Sequence, residues 1–283
     1  MASTTSTATA TVRVEGAELH VELRGRGPLL ALHAAPMDAA SFTPLAELLA
    51  VDHTVLTCDP RGIHRSRVDR PDQDVTPDMR ADDLAAVLRH VDAGPAALFG
   101  SSGGAVSALA LTQKHPELVD TVIAHEPPLA ELVGDTEELR IQTDEMIETY
   151  LSGDRRGAWS AFMTSANIRL PAELFDAMFG GRIEGQAAAD ELFAFAHMER
   201  PTTFWKPNLP ALRDTEVKLV VGIGEHSANE LCDRTSRALA AEIGIDPTMF
   251  PGGHIGFAED PAAFASRLRD ILETVRVPAP VDP

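Results

Sequence analysis

From about Val12 onward, short apolar runs alternate with amphipathic stretches. Eight runs read as strands: residues 12–14, 18–23, 29–33, 54–58, 96–99, 121–124, 218–222 and 248–250. From Leu29 onward these runs are nearly continuous in apolar residues, the pattern of parallel strands buried on both faces. Helical spacing fills the gaps. Leu84, Val87, Leu88 and Val91 form one stripe within 82–91, after a Thr76-Pro77 start signal. Residues 105–113 are small and apolar, 229–243 follow the seventh run, and 261–275 open with Asp260 at the N-cap and Pro261 in the first turn. The alternation predicts an α/β fold: a mostly parallel eight-stranded sheet with helices on both faces.

One segment breaks the rhythm. Residues 127–213 contain helical stretches such as 137–151 and 158–163 but no buried strand, and they carry Trp159, Phe175, Phe179, Phe193, Phe195 and Trp205. This predicts a helical cap inserted after the sixth strand, with residues 11–126 and 214–283 forming the core. Residues 1–10 read as a disordered tail.

Composition narrows the partners. The formal net charge is -19, from 24 Lys+Arg against 43 Asp+Glu, a field that repels phosphate backbones and anionic lipid. Neither nucleic acid nor a membrane surface is expected. No run approaches 18 apolar residues, and the opening MASTTSTATA lacks the basic and apolar regions of a secretory signal, so cytoplasmic residence is the expectation. Cys58 and Cys232 make no disulfide framework and read as packing residues. Without a P-loop or a metal-ligand spacing, the chain reads as free of cofactor and metal.

The chemistry concentrates at Gly100-Ser101-Ser102-Gly103-Gly104, which sets Gly-x-Ser-x-Gly between a buried strand and a helix. Such a turn is tight enough to strain the serine backbone and to require residues without Cβ on either side. It lifts the Ser102 hydroxyl above the carboxyl edge of the sheet and aims the Gly103 N–H at a developing oxyanion. Ser101 lacks flanking glycines in register. A second segment, His33-Ala34-Ala35-Pro36, resembles the His-Gly-x-Pro loop of the α/β-hydrolase family. There the Ala35 N–H would be the second oxyanion donor, with His33 bracing the loop. Asp59-Pro60-Arg61-Gly62-Ile63-His64-Arg65-Ser66 resembles the family's Asp-x-Arg-Gly-x-Gly-x-Ser turn, with His64 where a glycine is common.

The resemblance implies a serine hydrolase whose general base is a late histidine. His254, in Gly252-Gly253-His254 after the last strand, takes that place. His20, His53, His90 and His115 read as solvated. The acid departs from the family pattern. Most members place an aspartate after the strand matching 218–222, but Ser227 stands there, and Ser227-x-x-Glu230 reads as a capping box. Glu126 offers a replacement at the end of the 121–124 strand, before Pro127-Pro128; Glu225 and Asp233 are the alternatives. The Ser102, Glu126, His254 layout resembles the lactone hydrolases that open the ring of zearalenone. The implied activity is hydrolysis of a carboxylic ester or lactone with a hydrophobic body, through an acyl-enzyme intermediate. Phe195 and Trp205 are the expected pocket walls. Carbon–carbon bond hydrolysis by the same residues is the alternative within enzymes, and a catalytically idle small-molecule binder is the alternative outside them.

Overall fold

The computed structural model describes residues 6–276. Nine strands form one sheet: β1 (Ala8–Val14), β2 (Ala17–Gly25), β3 (Leu29–Ala35), β4 (Thr54–Cys58), β5 (Arg67–Val68), β6 (Ala96–Ser102), β7 (Val119–His125), β8 (Lys218–Gly224) and β9 (Thr248–Phe250). The order is β1-β2-β4-β3-β6-β7-β8-β9, with β5 paired to β2. Pairs involving β2 are antiparallel and all others are parallel. The fold is the α/β architecture expected, with one two-residue strand more than the apolar pattern marked.

One sequence expectation needs correction here. Residues 8–10 are not tail: they belong to β1, with Ala8 opposite Leu23 and Ala10 opposite Val21. The strand is an exposed edge in which only Val12 is buried, and its first residues, Ala8, Thr9 and Ala10, are too small and exposed to mark it as the 12–14 run does. Residues 1–5 and the Pro-rich end 277–283 lie outside the described residues.

Helices α1 (Thr43–Leu49), α2 (Pro77–Val91) and α3 (Gly103–Lys114) sit among the first strands. α2 starts where its signal predicts, with the Thr76 hydroxyl accepting from Met79 N at 3.2 Å and Pro77 in the first turn. It ends at Asp92 with φ +48°. Alternate side chains of the central strands enter two cores. Leu98 and Val122 pack with Leu84 and Leu88 on one face. Phe99 and Ile123 pack with Phe42, Phe264 and Leu268 on the other.

Between β7 and β8 the chain is helical: α4 (Thr136–Leu151), α5 (Arg155–Ser165), α6 (Ala172–Phe179), α7 (Gly185–Phe193), a π-helical turn Ala194–Met198, α8 (Glu199–Thr203) and α9 (Leu209–Arg213). α9 packs on core helices rather than over the site. The chain closes with α10 (Leu231–Ile243), α11 (Gly256–Glu259) and α12 (Pro261–Arg276), where Asp260 Oδ1 accepts from Ala263 N at 3.0 Å. α10 begins at Leu231 with Glu230 as an N-cap that makes no side-chain bond. The capping box expected at Ser227 therefore does not form. Among the described residues no helix is long and apolar enough to cross a membrane.

Candidate active site

The parallel strands deliver three side chains to one edge of the sheet. Ser102 ends β6, at φ +53° and ψ −125°, and α3 begins at the next residue. A non-glycine residue there stores roughly 1–3 kcal/mol of backbone strain. The glycines on either side explain how the turn closes. A Cβ on Gly100 would lie 2.5 Å from Gly104 O, and one on Gly104 would lie 2.3 Å from His33 O. Helix and strand thus approach at a distance that only glycine permits.

β7 runs beside β6 with Ser101 opposite His125, so the residues that follow these two, Ser102 and Glu126, leave adjacent strand ends. Glu126 is fully buried and also has positive φ, +52°. Its N–H bonds to Gly222 O at 3.0 Å. Its Oε1 accepts from Gly224 N at 2.7 Å and its Oε2 meets His254 Nδ1 at 2.5 Å. His254 lies in the loop between β9 and α11 and is 23% exposed. Burial alone would raise the Glu126 pKa. The hydrogen bond and charge of His254 outweigh it and pull the carboxyl down to about 2. For His254, burial disfavours the imidazolium, but the Glu126 carboxylate against Nδ1 favours it, and the net direction is upward. Glu126 is thus an ionised carboxylate against Nδ1 of His254, an arrangement able to fix one imidazole tautomer and leave the other ring nitrogen for proton exchange.

Ser227, where the family's aspartate was expected, is fully buried beside the same carboxylate. The geometry does not support the other acids. Glu225 is exposed. Asp233 is buried but accepts from Arg237 Nε at 2.7 Å and Asn229 N at 2.9 Å.

Ser102, His254, Ala35 and Gly103 line one cavity of about 590 Å³. Among the described residues no hydrogen bond joins Ser102 Oγ to His254. Catalytic hydrogen bonds of this kind often tighten only when substrate binds. His33 stays out of the cavity. It is buried, 3.6 Å from Cys58 Sγ, and burial with the nearby Arg80 charge pushes its pKa down to about 3. That fits a brace rather than a base. His64 has φ +52°, the conformation that makes glycine common at its place in the turn. His53, expected in solvent, is buried and bonded to Asp52 at 2.9 Å.

The helices after β7 supply most of the remaining wall, including Thr143, Met146, Trp159, Phe162 and Phe195. Phe195 lines the cavity, stacked on Tyr150 at 4.2 Å between ring centroids. Trp205 does not. Its indole packs against the core and donates to Asp78 Oδ2 at 3.2 Å. The sequence also gave no sign of Cys232 and Glu199, both in the cavity wall. Cys232 is a site neighbour rather than the plain packing residue expected, and burial raises its thiol pKa.

Comparisons with known proteins agree with this architecture. The family model described as "alpha/beta hydrolase fold" matches residues 27–225. The Bacillus subtilis (strain 168) protein named Uncharacterized hydrolase YraK is 30% identical over 264 residues, 93% of this chain and 95% of that one. The zearalenone hydrolase of Bionectria ochroleuca is 24% identical over 278 residues, 92% of this chain and 95% of that one. A thermophilic esterase from Thermogutta terrifontis superposes with a TM-score of 0.71 at 19% identity, covering 96% of this chain and all of that one. Family model, relatives and topology converge: the chain belongs to the α/β hydrolase fold family.

Proposed function

We propose that the protein is a serine hydrolase that cleaves a carboxylic ester or lactone with a hydrophobic body. The observation that carries this reading is the 2.5 Å contact of His254 Nδ1 with buried Glu126, at a cavity shared with the strained Ser102. Ser102 Oγ attacks the carbonyl carbon while His254 takes its proton. The tetrahedral oxyanion faces the N–H groups of Ala35 and Gly103. His254 then returns the proton to the alkoxide leaving group, and the ester C–O bond breaks to give the acyl-enzyme. Water, activated by the same imidazole, releases the acid and restores Ser102. Glu126 stays ionised throughout and steadies the imidazolium. The apolar wall supports the hydrophobic body, because burying it in the cavity removes apolar area from water.

A fluorophosphonate probe tests the nucleophile. Wild-type protein is expected to label stoichiometrically and Ser102→Ala not at all; a folded wild type that resists labelling would sink the proposal. Turnover of a panel of p-nitrophenyl esters and resorcylic lactones then defines the substrate. Product analysis separates ester cleavage, which yields an alcohol, from cleavage of a carbon–carbon bond.

A further inference from the structure

The cavity wall holds four carboxyl side chains, Asp38, Asp190, Glu191 and Glu199, and among the described residues no lysine or arginine. Three of the four are engaged within the protein. Asp38 Oδ1 accepts from Ser41 N at 3.1 Å and Ser41 Oγ at 3.0 Å. Asp190 Oδ1 accepts from His64 N at 2.9 Å and Gln186 Nε2 at 2.7 Å. Glu191 takes both Nε and Nη2 of Arg155, at 2.6 and 2.9 Å.

Glu199 differs. It is half-buried and accepts one long bond, 3.3 Å from the Thr203 hydroxyl in its own helix. Arg80, the buried cation whose charge acts on Glu199, is committed elsewhere: it donates to Ser107 Oγ at 2.8 Å, Thr202 Oγ1 at 2.9 Å and Val75 O at 3.3 Å. Burial raises the Glu199 pKa, against the weaker pull of Thr203 and Arg80, which favours the neutral acid, able both to donate and to accept. A polar group in a cavity wall needs a partner, and Glu199 stands in the wall of the cavity a substrate would fill.

Its place relative to the reacting atoms follows from α8. Thr202 packs against the elbow, since a Cβ on Gly103 would lie 3.2 Å from Thr202 Cγ2. Glu199 precedes Thr202 by three residues, about 4.5 Å along the helix axis. The Arg80–Thr202 bond fixes that helix against the core.

We propose that Glu199 recognises an uncharged oxygen substituent on the substrate, so that the cavity selects neutral esters or lactones bearing such a group and rejects those bearing a carboxylate. The inference rests on the serine hydrolase reading above and adds selectivity to it. A bound carboxylate would lose its hydration without meeting a lysine or arginine, and His254 is neutral when it acts as base, so the carboxylate bears a cost that a neutral oxygen avoids.

The test compares three acyl chains on one leaving group: the p-nitrophenyl esters of hexanoate, monomethyl adipate and adipate. Wild type is expected to favour the monomethyl adipate ester over the hexanoate ester by roughly tenfold in kcat/KM. It should disfavour the anionic adipate ester by roughly a hundredfold. Glu199→Leu should bring the first ratio close to one, and the isosteric Glu199→Gln should keep it. A first ratio unchanged in Glu199→Leu, or an adipate ester cleaved as well as hexanoate by wild type, overturns the inference. Fluorophosphonate labelling of the same preparations separates the two failures. Labelled protein without this selectivity overturns only the Glu199 inference, whereas unlabelled folded protein overturns the hydrolase reading beneath it.

Discussion

The carboxyl edge of the sheet and the helical segment over it are built to different standards. At the sheet edge Ser102 and Glu126 are held by backbone. Both sit at positive φ on neighbouring strand ends, and Glu126 is tied by its own N–H and by Gly224 N. The helical segment instead presents side chains. Trp159, Phe162 and Phe195 face the cavity, while Ile141, Leu151, Leu174, Met178 and Leu192 are exposed large hydrophobics. The difference teaches how the two parts divide the work. On the proposed mechanism, bond-breaking geometry has to be held within fractions of an ångström, and it lies at two strand ends and in the short loop after β9 that carries His254. Substrate fit tolerates variation and lies on helices that share less of the core.

The sharpest way to break that comparison is to remove the acid from the rigid edge. Glu126→Gln keeps the shape but forfeits the charge that steadies the imidazolium, and kcat should fall by roughly 10³–10⁴. Glu225→Gln, altering an exposed side chain, should stay within about twofold of wild type. Steady-state kinetics on both variants, with circular dichroism to verify folding, decide the matter. Equal losses would show that the edge does not depend on Glu126.

The same pair sets the pH dependence. His254 has to be neutral to accept the Ser102 proton, and its pKa is raised well above the ordinary 6.5. The acid limb of kcat/KM is therefore expected above pH 6.5, with activity gained as pH rises through the His254 pKa. Glu126→Gln removes the favouring charge and should move the limb to lower pH. The rate of fluorophosphonate labelling against pH reads this even where turnover is slow. A limb that stays in place would detach Glu126 from His254.

How much of this was legible beforehand follows the same division. The elbow, the His33–Pro36 loop and His254 could be read because each combines a spacing with a backbone demand that only certain residues meet. The proposed acid at Glu126 rests on the same kind of reading, since Ser227 cannot carry charge and Glu126 follows the next strand, where it meets His254. Other features left no mark. The first residues of β1, Ala8–Ala10, are small and exposed, and only their pairing with β2 makes them strand. Whether an aromatic on the helical segment faces cavity or core depends on how short helices rotate against one another. Phe195 and Trp205 look alike in sequence and point to different places. Glu199 was invisible for the same reason: a glutamate at a helix start is ordinarily a solvated, dipole-friendly residue.

On the helical side the expected effects are smaller. Phe195→Leu removes the ring that stacks on Tyr150 and meets Trp159 edge-on at 5.3 Å. For an apolar ester KM should rise roughly tenfold, more than kcat falls, because the wall contributes binding rather than proton transfer. A loss confined to kcat would place Phe195 among the groups that act on the transition state and blur the division.

The smallest effect belongs to Trp205, and it sharpens the comparison most. It lies within the helical segment by sequence, yet its ring packs on the core and its Nε1 donates to Asp78 across an exposed contact. Trp205→Phe should cost about 1 kcal/mol or less of stability through that lost bond and leave kcat/KM within about twofold. Thermal denaturation with steady-state kinetics on the same apolar ester measures both. If KM rose as it does in Phe195→Leu, position in the chain would govern substrate contact. If only stability moves, contact with the cavity governs it, and the boundary between chemistry and selectivity follows the surface each side chain faces rather than the segment that carries it.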